Sequence, residues 1–496
     1  MVILTGKSTS SPIRVKQLPI KLDRDIRRVV TLPFNVSATA NVSSIVARVD
    51  SLSDELVTEA LSLVYEGFSQ RHEKMESQLL EHYEMACQIT QRHQDDSHER
   101  KLLIGAYFTM EYSVEAAALF NPSIVPHPDQ SDVPPGGKRF IMSLRAVGEG
   151  HISSTVFQTG LVTKAGAIAL DPPDSFATRT RIKPDHHYLK SLFSRKLEEM
   201  GVNISTAWKI LDLLPDEFTL DELENAIAEV KSQGEELPQM DPTTRSMVWL
   251  ARANYELQLD KHDTISDLIL FPRSDNEQRG IEDMRLVHFT EDDGEQIYYG
   301  TYTAFDGYNI LAMLMETRDF RTINMHTLNG ACVQNKGMAL FPRKINGHYA
   351  MCSRIDGHNL FLMFSDYVHF WESATLLAEP KFPWELRIMG NCGSPLETDE
   401  GWLLITHGVG PMRRYCIGAM LLDLDDPFKI RGRLKHPLLE PSEDDREGYV
   451  PNVVYSCGSM IHNGKLILPY AVSDTATRMS MVDVDELVRQ LIKDGP

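Results

Sequence analysis

The feature of this chain that most restricts its fold is a short unit that occurs five times. Each unit starts at a glycine, continues as a short apolar run and ends at a charged or polar residue. The last four of the five glycines are 53, 54 and 63 residues apart, and the full set is Gly137, Gly294, Gly347, Gly401 and Gly464. That period fits one four-stranded blade of a β-propeller. The sequence therefore predicts an all-β fold built from blades.

Polar residues follow four of these glycines at similar distances. Arg145, Tyr302, Arg354 and His407 lie six to eight residues beyond their glycine. Equivalent strand ends in a propeller converge on one mouth. We therefore expect these four side chains to share a central pocket.

The charge and the cysteines limit the class of protein. The net charge of the 496 residues is −20, which argues against a nucleic-acid partner or an anionic membrane surface. An inward cluster of Arg and Lys would be unusual in such a chain and would favour an anionic ligand. The six cysteines show no Cys-x-x-Cys and no zinc-ligand spacing, and the chain has neither a secretory start nor a long apolar run. We expect reduced thiols, no metal, no membrane span and a cytoplasmic location.

Two segments have helical patterns that a propeller does not need. Residues 53–105 carry apolar residues on one face, and the gap of 157 residues between the first two units is about 100 longer than one blade requires. Within that gap, residues 184–258 are predicted helical, with a capping box at Thr219 and Glu222. These segments either pack on the outside of the propeller or mediate self-association, and we expect a homo-oligomer. The predicted division is 1–105, 106–480 with the insertion 184–258, and a C-terminal helix in 481–496.

Three motifs carry candidate chemistry, and each has two interpretations. The first places two acids between two arginines, in the run Arg279-Gly280-Ile281-Glu282-Asp283-Met284-Arg285. It is either a surface ion-pair cluster or a carboxyl group tuned by cations and burial for general acid catalysis. The second contains Lys336 and leads to Arg354, which are either exposed strand-end cations or an anion site. The third is a glycine-rich stretch from Gly390 to Gly410, whose glycines either allow a close backbone approach to a ligand or form tight blade turns.

Histidines outside these motifs call for a cautious interpretation. The pair His186-His187 is more typical of solvated side chains than of metal ligands. His151 follows the first blade strand, so it could line the pocket.

Several of these runs together resemble glycoside hydrolase family 130, the β-mannoside phosphorylases and related β-mannosidases. The resemblance extends from about Phe120 to Ala476, and it depends on Phe120-Asn121-Pro122, the run from Gly280 to Arg285, Phe341-Pro342 to Arg354, Gly401-Trp402 to Val409, Leu421 to Pro427, and Gly448 to Val454. It implies a five-bladed β-propeller, to which the helical N-terminal and inserted segments are additions.

The resemblance also implies roles for single residues. Asp283 matches the catalytic acid, which protonates the glycosidic oxygen through the 3-hydroxyl of the mannosyl unit. Lys336 and Arg354 match phosphate-binding positions, and Lys336 stands where arginine is commoner. The substrate-binding positions implied by these motifs are Asn121, Arg145, Glu282, Arg285, His407, Tyr415 and Asp474.

Glu397 departs from the pattern, because a third phosphate-binding lysine is expected near it. A carboxylate there either acts as a base for water or orients a neighbouring cation such as Arg354. The first choice of function is therefore an inverting β-mannoside phosphorylase, which needs inorganic phosphate as co-substrate and no cofactor. The alternatives are an inverting β-mannosidase and a non-catalytic sugar-binding propeller.

Overall fold

The computed structural model describes residues 13–34, 39–92, 95–172, 177–183, 186–232, 242–260 and 264–496. Within these ranges most strands fall into five groups that follow one another along the chain. In each group, the consecutive strands pair antiparallel across short connections, as hairpin-linked strands do. The five glycines of the repeated unit occupy the same place in every group, at the turn that leads into a central strand.

Groups one to three contain the following strands. Group one consists of Ala118–Pro126, Lys138–Val147, Ser153–Val162 and Ile168–Leu170, extended by Leu268–Leu270 and Thr178–Arg179. Group two consists of Gly280–Thr290, Gln296–Phe305, Ile310–Thr317 and Thr322–Thr327, extended by Tyr255–Gln258 and Arg181–Ile182. Group three consists of Ala339–Leu340, Tyr349–Ser353, Leu360–Ser365 and Ala374–Ala378.

Groups four and five are built in the same manner. Group four consists of Ile388–Asn391, Leu396–Thr398, Gly401–Val409, Tyr415–Leu422 and Ile430–Arg433. Group five consists of Val454–Tyr455, Met460–His462, Lys465–Val472, Ala476–Asp483 and Lys16–Leu22. Two small pairs lie apart, Val29–Pro33 with Thr109–Ser113 and Tyr188–Leu189 with Glu217–Phe218.

The apolar core is divided into layers between consecutive groups. One cluster joins groups one and two, and others join two with three, three with four, and four with five. A further cluster joins group five to group one, with Ile467 and Met479 packed among Phe140 and Met142. Each group therefore contacts the one before it and the one after it, and the last returns to the first.

Helices occupy the two segments that the pattern marked as helical. The helices Thr39–Asp50, Asp54–Phe68, Met75–Thr90 and His98–Tyr107 precede group one, and Lys190–Glu199, Ile204–Leu211, Leu220–Ser232 and Pro242–Ala253 lie between groups one and two. Thr219 and Glu222 form the expected reciprocal capping contacts. Residues 184–185 and 233–241 of the predicted insertion lie outside the described residues.

The N-terminal part of the chain is not wholly separate from the sheets. Lys16–Leu22 pairs antiparallel with Ala476–Asp483 and forms the outer strand of group five. Leu18, Ile20 and Leu22 alternate along this strand and pack onto the core between groups one and five. That period of two is the signature of a half-buried strand, and the prediction of a largely helical extension overlooked it.

At the other end, the helix Val484–Asp494 directly follows group five. Asp483 caps it by accepting a hydrogen bond from the backbone N–H of Glu486 at 3.0 Å. Val484, Leu487, Val488 and Leu491 face the core between groups four and five. In the described ranges, none of the helices is both long and apolar enough to cross a membrane. All six cysteines lie in these ranges and none is in a disulfide.

Candidate active site

Two β-bulges place the central side chains of the site. The pairing register shifts between Phe120 and Ser123 in group one, and between Glu282 and Arg285 in group two. Asn121 and Asp283, inside these bulges, have φ values of +51° and +55°. Asn and Asp adopt this left-handed region more readily than other residues with a Cβ atom. A bulge re-aims its side chain, and here the two side chains meet.

Asp283 is held by neutral and charged donors. Its Oδ1 accepts hydrogen bonds from Asn121 Nδ2 at 2.7 Å and from Arg145 Nη1 at 3.1 Å. The Asp283 side chain keeps 15% of its surface exposed. The second carboxylate oxygen has no partner among the described residues, so it is available to a ligand.

Glu282 connects two cations beside this carboxylate. Its Oε1 accepts from Arg145 Nη2 and its Oε2 accepts from Lys336 Nζ, both at 2.6 Å. Only 10% of the Glu282 side chain is exposed. The acidic motif is therefore a buried network, and its interpretation as a surface ion-pair cluster is wrong.

Arg285 supports the bulge from within the protein. Its Nη1 donates to the backbone carbonyl of Asp283 at 3.0 Å, and its Nη2 donates to the hydroxyl of Tyr455 at 2.6 Å. Arg285 is 3% exposed. These contacts hold the backbone of the acid motif, so we interpret Arg285 as a positioning residue.

Arg354 lies beside the loop that carries Lys336. A Cβ atom built on Gly337 would lie 3.7 Å from Arg354 Cβ. Arg354 Nη1 donates to His407 Nε2 at 3.1 Å, and His407 Nδ1 donates to the carbonyl of Asn391 at 3.1 Å. Burial, Arg354 and Arg285 together lower the pKa of His407 well below its usual value, so the ring is a neutral acceptor.

Arg354 has no carboxylate partner in the described part of the chain, and its buried Nε has no hydrogen-bond partner there. A partly buried guanidinium without an anion is costly. Gly390 leaves room for the His407 ring that contacts Arg354, because a Cβ atom at position 390 would lie only 2.6 Å from Cε1 of His407. The pair Lys336 and Arg354 therefore offers positive charge to an anionic ligand.

Tyr415 and Asp474 complete the predicted set. The rings of Tyr415 and His407 are nearly parallel, with centroids 6.2 Å apart. Asp474 lies in a turn of group five with φ of +49° and interacts electrostatically with Asp283 and Arg145. The structure thus brings together all the predicted substrate- and phosphate-binding residues.

The charges give the two aspartates opposite pKa shifts. Burial opposes ionisation of Asp283, but Arg145, Lys336 and Arg285 outweigh it and lower its pKa to about 2. Burial and the nearby Asp283 raise the pKa of Asp474 to about 6, against the weaker effect of Arg145. In the absence of ligand, Asp283 is therefore ionised at neutral pH, and Asp474 takes up a proton near pH 6.

The raised pKa of Asp474 predicts a stabilising substitution. A carboxyl group whose folded-state pKa exceeds its unfolded value of about 3.9 costs stability as pH rises through the interval between them. We expect Asp474→Asn to stabilise the protein at pH 8 by up to about 3 kcal/mol, with no gain at pH 4. Asn also suits the left-handed backbone there. Urea unfolding between pH 4 and 8 measures the effect, and a pH-independent difference would contradict it.

Two sequence expectations are corrected by the structure. Glu397 pairs with Arg343 at 2.7 Å, at the opposite end of the strand Gly401–Val409 from His407. Glu397 is opposite Trp402, and the five positions from Trp402 to His407 span about 17 Å. Glu397 is therefore neither a base in this site nor a partner of Arg354.

Tyr302 is the second correction. Its hydroxyl donates to Glu277 Oε1 at 2.8 Å in the core between groups one and two. Thr301 and Thr303 pair opposite Arg285 and Glu282, and side chains alternate between faces along a strand. Tyr302 therefore points to the other face from Thr301 and Thr303.

Sequence reasoning missed two residues of the site. Tyr455 binds Arg285, and its ring contacts that of His407 at 4.9 Å between centroids. Asn391 Nδ2 donates to the carbonyl of Gly337, next to Lys336. Tyr455 directly follows the run from Gly448 to Val454, which was its only signal. His151 is exposed and stacks on Tyr449 at 5.7 Å.

Comparison with known proteins gives concordant matches. A family model described as beta-1,4-mannooligosaccharide phosphorylase matches residues 251–493. The 1,2-beta-oligomannan phosphorylase of Thermoanaerobacter sp. (strain X514) is 34% identical over 229 residues, which cover 44% of this chain and 73% of that protein. The beta-1,2-mannobiose phosphorylase of Listeria innocua is 31% identical over 230 residues, covering 45% of this chain and 63% of the relative.

The solved structure of a beta-1,2-mannobiose phosphorylase from Listeria innocua aligns with 77% of this chain and 93% of its own, at 20% identity and a TM-score of 0.45. The family model covers the acid motif and the sheets that follow it, and the Thermoanaerobacter relative is matched over 73% of its length. The chain belongs to glycoside hydrolase family 130.

Proposed function

We propose that this protein is an inverting β-mannoside phosphorylase, which cleaves a β-mannoside with inorganic phosphate to give α-mannose 1-phosphate. The observation that carries the proposal is the buried carboxylate of Asp283, which Arg145 and Glu282 connect to Lys336 in one network. Arg354 lies beside the loop of Lys336 and has no carboxylate partner in the described ranges. The relatives named above are mannobiose and oligomannan phosphorylases. These relatives support a β-mannoside as the sugar substrate, and the cations of the site support phosphate as the nucleophile.

The five groups are proposed to be the blades of a five-bladed propeller. Five apolar layers in cyclic order, the last between groups five and one, support this arrangement. Site residues come from the inner strands or turns of all five groups. A propeller gathers such side chains at one mouth.

The proposed reaction is a single displacement at C1 of the mannosyl unit. A phosphate oxygen held by Lys336 and Arg354 forms a bond to C1 while the bond from C1 to the glycosidic oxygen breaks. Asp283 gives its proton to the 3-hydroxyl of the sugar, which passes one to the leaving oxygen. Phosphate is already an anionic nucleophile, so no second carboxylate is needed to activate water.

Asp283 must be protonated to act, although its pKa is about 2 without ligand. A phosphate bound by Lys336 and Arg354 offsets positive charge that lowers this pKa, and a bound sugar excludes water from the carboxyl group. Both effects raise the pKa of a carboxyl group. We therefore propose that substrate and phosphate together prepare Asp283 as an acid.

The alternative of hydrolysis through Glu397 loses its support, because Glu397 pairs with Arg343 away from the site. The deciding experiment incubates a panel of β-mannosides with and without phosphate and identifies the mannose product by NMR. We expect α-mannose 1-phosphate, formed only with phosphate. Free mannose as sole product in saturating phosphate would overturn the proposal.

The anion site makes a separate prediction. A hydrogen bond from a cation to a charged ligand contributes about 1.5–3 kcal/mol, so we expect Lys336→Met to raise the KM for phosphate by roughly 10- to 100-fold. The KM for mannoside should change much less. The control is Lys344→Met, because Lys344 pairs with Glu291 and Asp292 instead of the site. Equal increases in both KM values for Lys336→Met would contradict the assignment.

Self-association through the helical segments, the domain boundaries and the cytoplasmic location remain predictions from the sequence.

A further inference from the structure

A second cluster of potential ligands lies at the outer edge of group two. One ligand atom from each of Glu316, His326 and His369 lies within 4.8 Å of the other two. Glu316 and His326 are on the neighbouring strands Ile310–Thr317 and Thr322–Thr327, and His369 follows the strand Leu360–Ser365 of group three. All three side chains are partly buried.

The backbone fixes this convergence. The antiparallel register places Leu314 opposite His326 and Asn324 opposite Glu316, so Glu316 and His326 are diagonal neighbours on one face. The carbonyl of His369 accepts from the backbone N–H of Asn329 at 2.9 Å, and Asn329 in turn accepts from Trp371 at 2.8 Å. Two strands and one anchored loop therefore present the three side chains.

The polar atoms of this cluster have few partners. Nδ1 of His369 is buried without a hydrogen bond, and no described residue hydrogen-bonds a ring nitrogen of His326. Glu316 has one ion pair, to Arg318 at the long distance of 3.7 Å. The two rings lie 4.9 Å apart at 65°, beside a cavity of about 190 Å³ that His186 also lines. Buried polar atoms normally have hydrogen-bond partners. The ring nitrogens of this cluster lack such partners among the described residues, and a bound ion would supply one.

We propose that Glu316, His326 and His369 form a binding site for a divalent transition-metal ion, for which Zn²⁺ is the best match. Two imidazoles and one carboxylate are a donor set that Zn²⁺ uses. If the three atoms stood at the 4.8 Å limit, an ion equidistant from them would lie about 2.8 Å from each. Bonds of about 2.0–2.2 Å then require movements of roughly 0.7 Å, which side-chain rotation provides.

The fourth position of such an ion faces the cavity and the helical insertion. The ring of His186 lies 6.2 Å from that of His326 between centroids. The helix Lys190–Glu199 already contacts the loop after His326, because Lys196 donates to the carbonyl of Leu328 and Glu199 accepts from Gly330. The ion would fasten group two to group three at the place where the insertion packs against them.

This role is structural. Three strand spacings of about 4.8 Å separate Gly280–Thr290, which carries Asp283, from Thr322–Thr327. The proposal is independent of the reaction, so its test needs no substrate. The sequence analysis predicted no metal site, because these three residues are not closely spaced in the chain.

The test uses the full chain after removal of metals by a chelator. Titration calorimetry with Zn²⁺ should show one tight site, and Zn²⁺ should raise the melting temperature. His326→Gln and His369→Gln should each weaken binding at least tenfold, whereas the exposed His348→Gln should not. Co²⁺ in the wild-type protein should give visible absorption bands that His369→Gln abolishes.

The Gln variants keep much of the side-chain volume, and their melting temperatures without metal report whether they fold. Absence of a tight Zn²⁺ site in the folded wild-type chain would overturn the proposal. Binding that is as strong in both variants as in the wild-type chain would also overturn it, because the ion would then be held elsewhere.

Discussion

Asp283→Asn is expected to lower kcat by roughly 10²- to 10⁴-fold on a mannoside with a sugar leaving group, because the amide cannot donate the proton of general acid catalysis. The fold should be unaffected. Asn adopts the same left-handed backbone, and its Oδ1 can still accept from Asn121 and Arg145. Initial rates of mannose 1-phosphate release measure the loss.

A mannoside whose leaving group is an acidic phenol distinguishes loss of the proton donor from general disruption of the active site by the substitution. Such a leaving group needs no protonation, so the variant should retain much more of its activity on it. Asp366→Asn, at a side chain that is 71% exposed, provides the control and should leave kcat unchanged. Equal losses on both kinds of substrate would contradict the acid role.

Arg145→Met is expected to have the largest effect on stability. Arg145 pairs with both Glu282 and Asp283, whose side chains are only 10% and 15% exposed. Removing one partner from a buried ion pair typically costs about 3–5 kcal/mol, because a charge is left uncompensated. Without Arg145, burial is less strongly opposed and the pKa of Asp283 rises from its low value. The loss should therefore be greater at pH 8 than at pH 5, because a proton can neutralise this carboxyl group more readily at the lower pH. Activity should fall as well.

Urea unfolding at both pH values measures this effect. Arg139→Met is a matched control on the same strand, because Arg139 pairs with Asp171 and both side chains are more than one-third exposed. Exposed pairs contribute about 0–1 kcal/mol. Adding Glu282→Gln to Arg145→Met should restore part of the stability. A cost similar to that of the control would contradict the role of Arg145.

Much of the site could be predicted from the chain, because its charged residues follow glycine turns or stand in dense motifs. Arg145, Arg354 and His407 were expected together on strand position alone, and the resemblance added Asp283 and Asn121. The bulges could not be predicted, since a single extra residue leaves little trace in a sequence. Tyr302 fails because side chains alternate along a strand, so it points to the opposite face from Thr301 and Thr303. Glu397 fails because its strand pairs with the end of Gly401–Val409 that is far from His407.

The cluster proposed to bind a metal escaped prediction for a different reason. Glu316 and His326 are ten residues apart and His369 is 43 residues further on. Only the register of two strands and the anchoring of one loop bring them together. Spacing rules detect ligands that share a turn or a helix, and none of these three does.

The outer strand of group five is synthesised long before the strand with which it pairs. Lys16 pairs with Met481, which follows it by 465 residues. At a synthesis rate of 5–20 residues per second, Lys16–Leu22 waits for about 25 to 90 s before its partner strand exists. During that time Leu18, Ile20 and Leu22 have no sheet to cover them. During synthesis this strand is thus made long before its partner, and it is among the last to join its sheet.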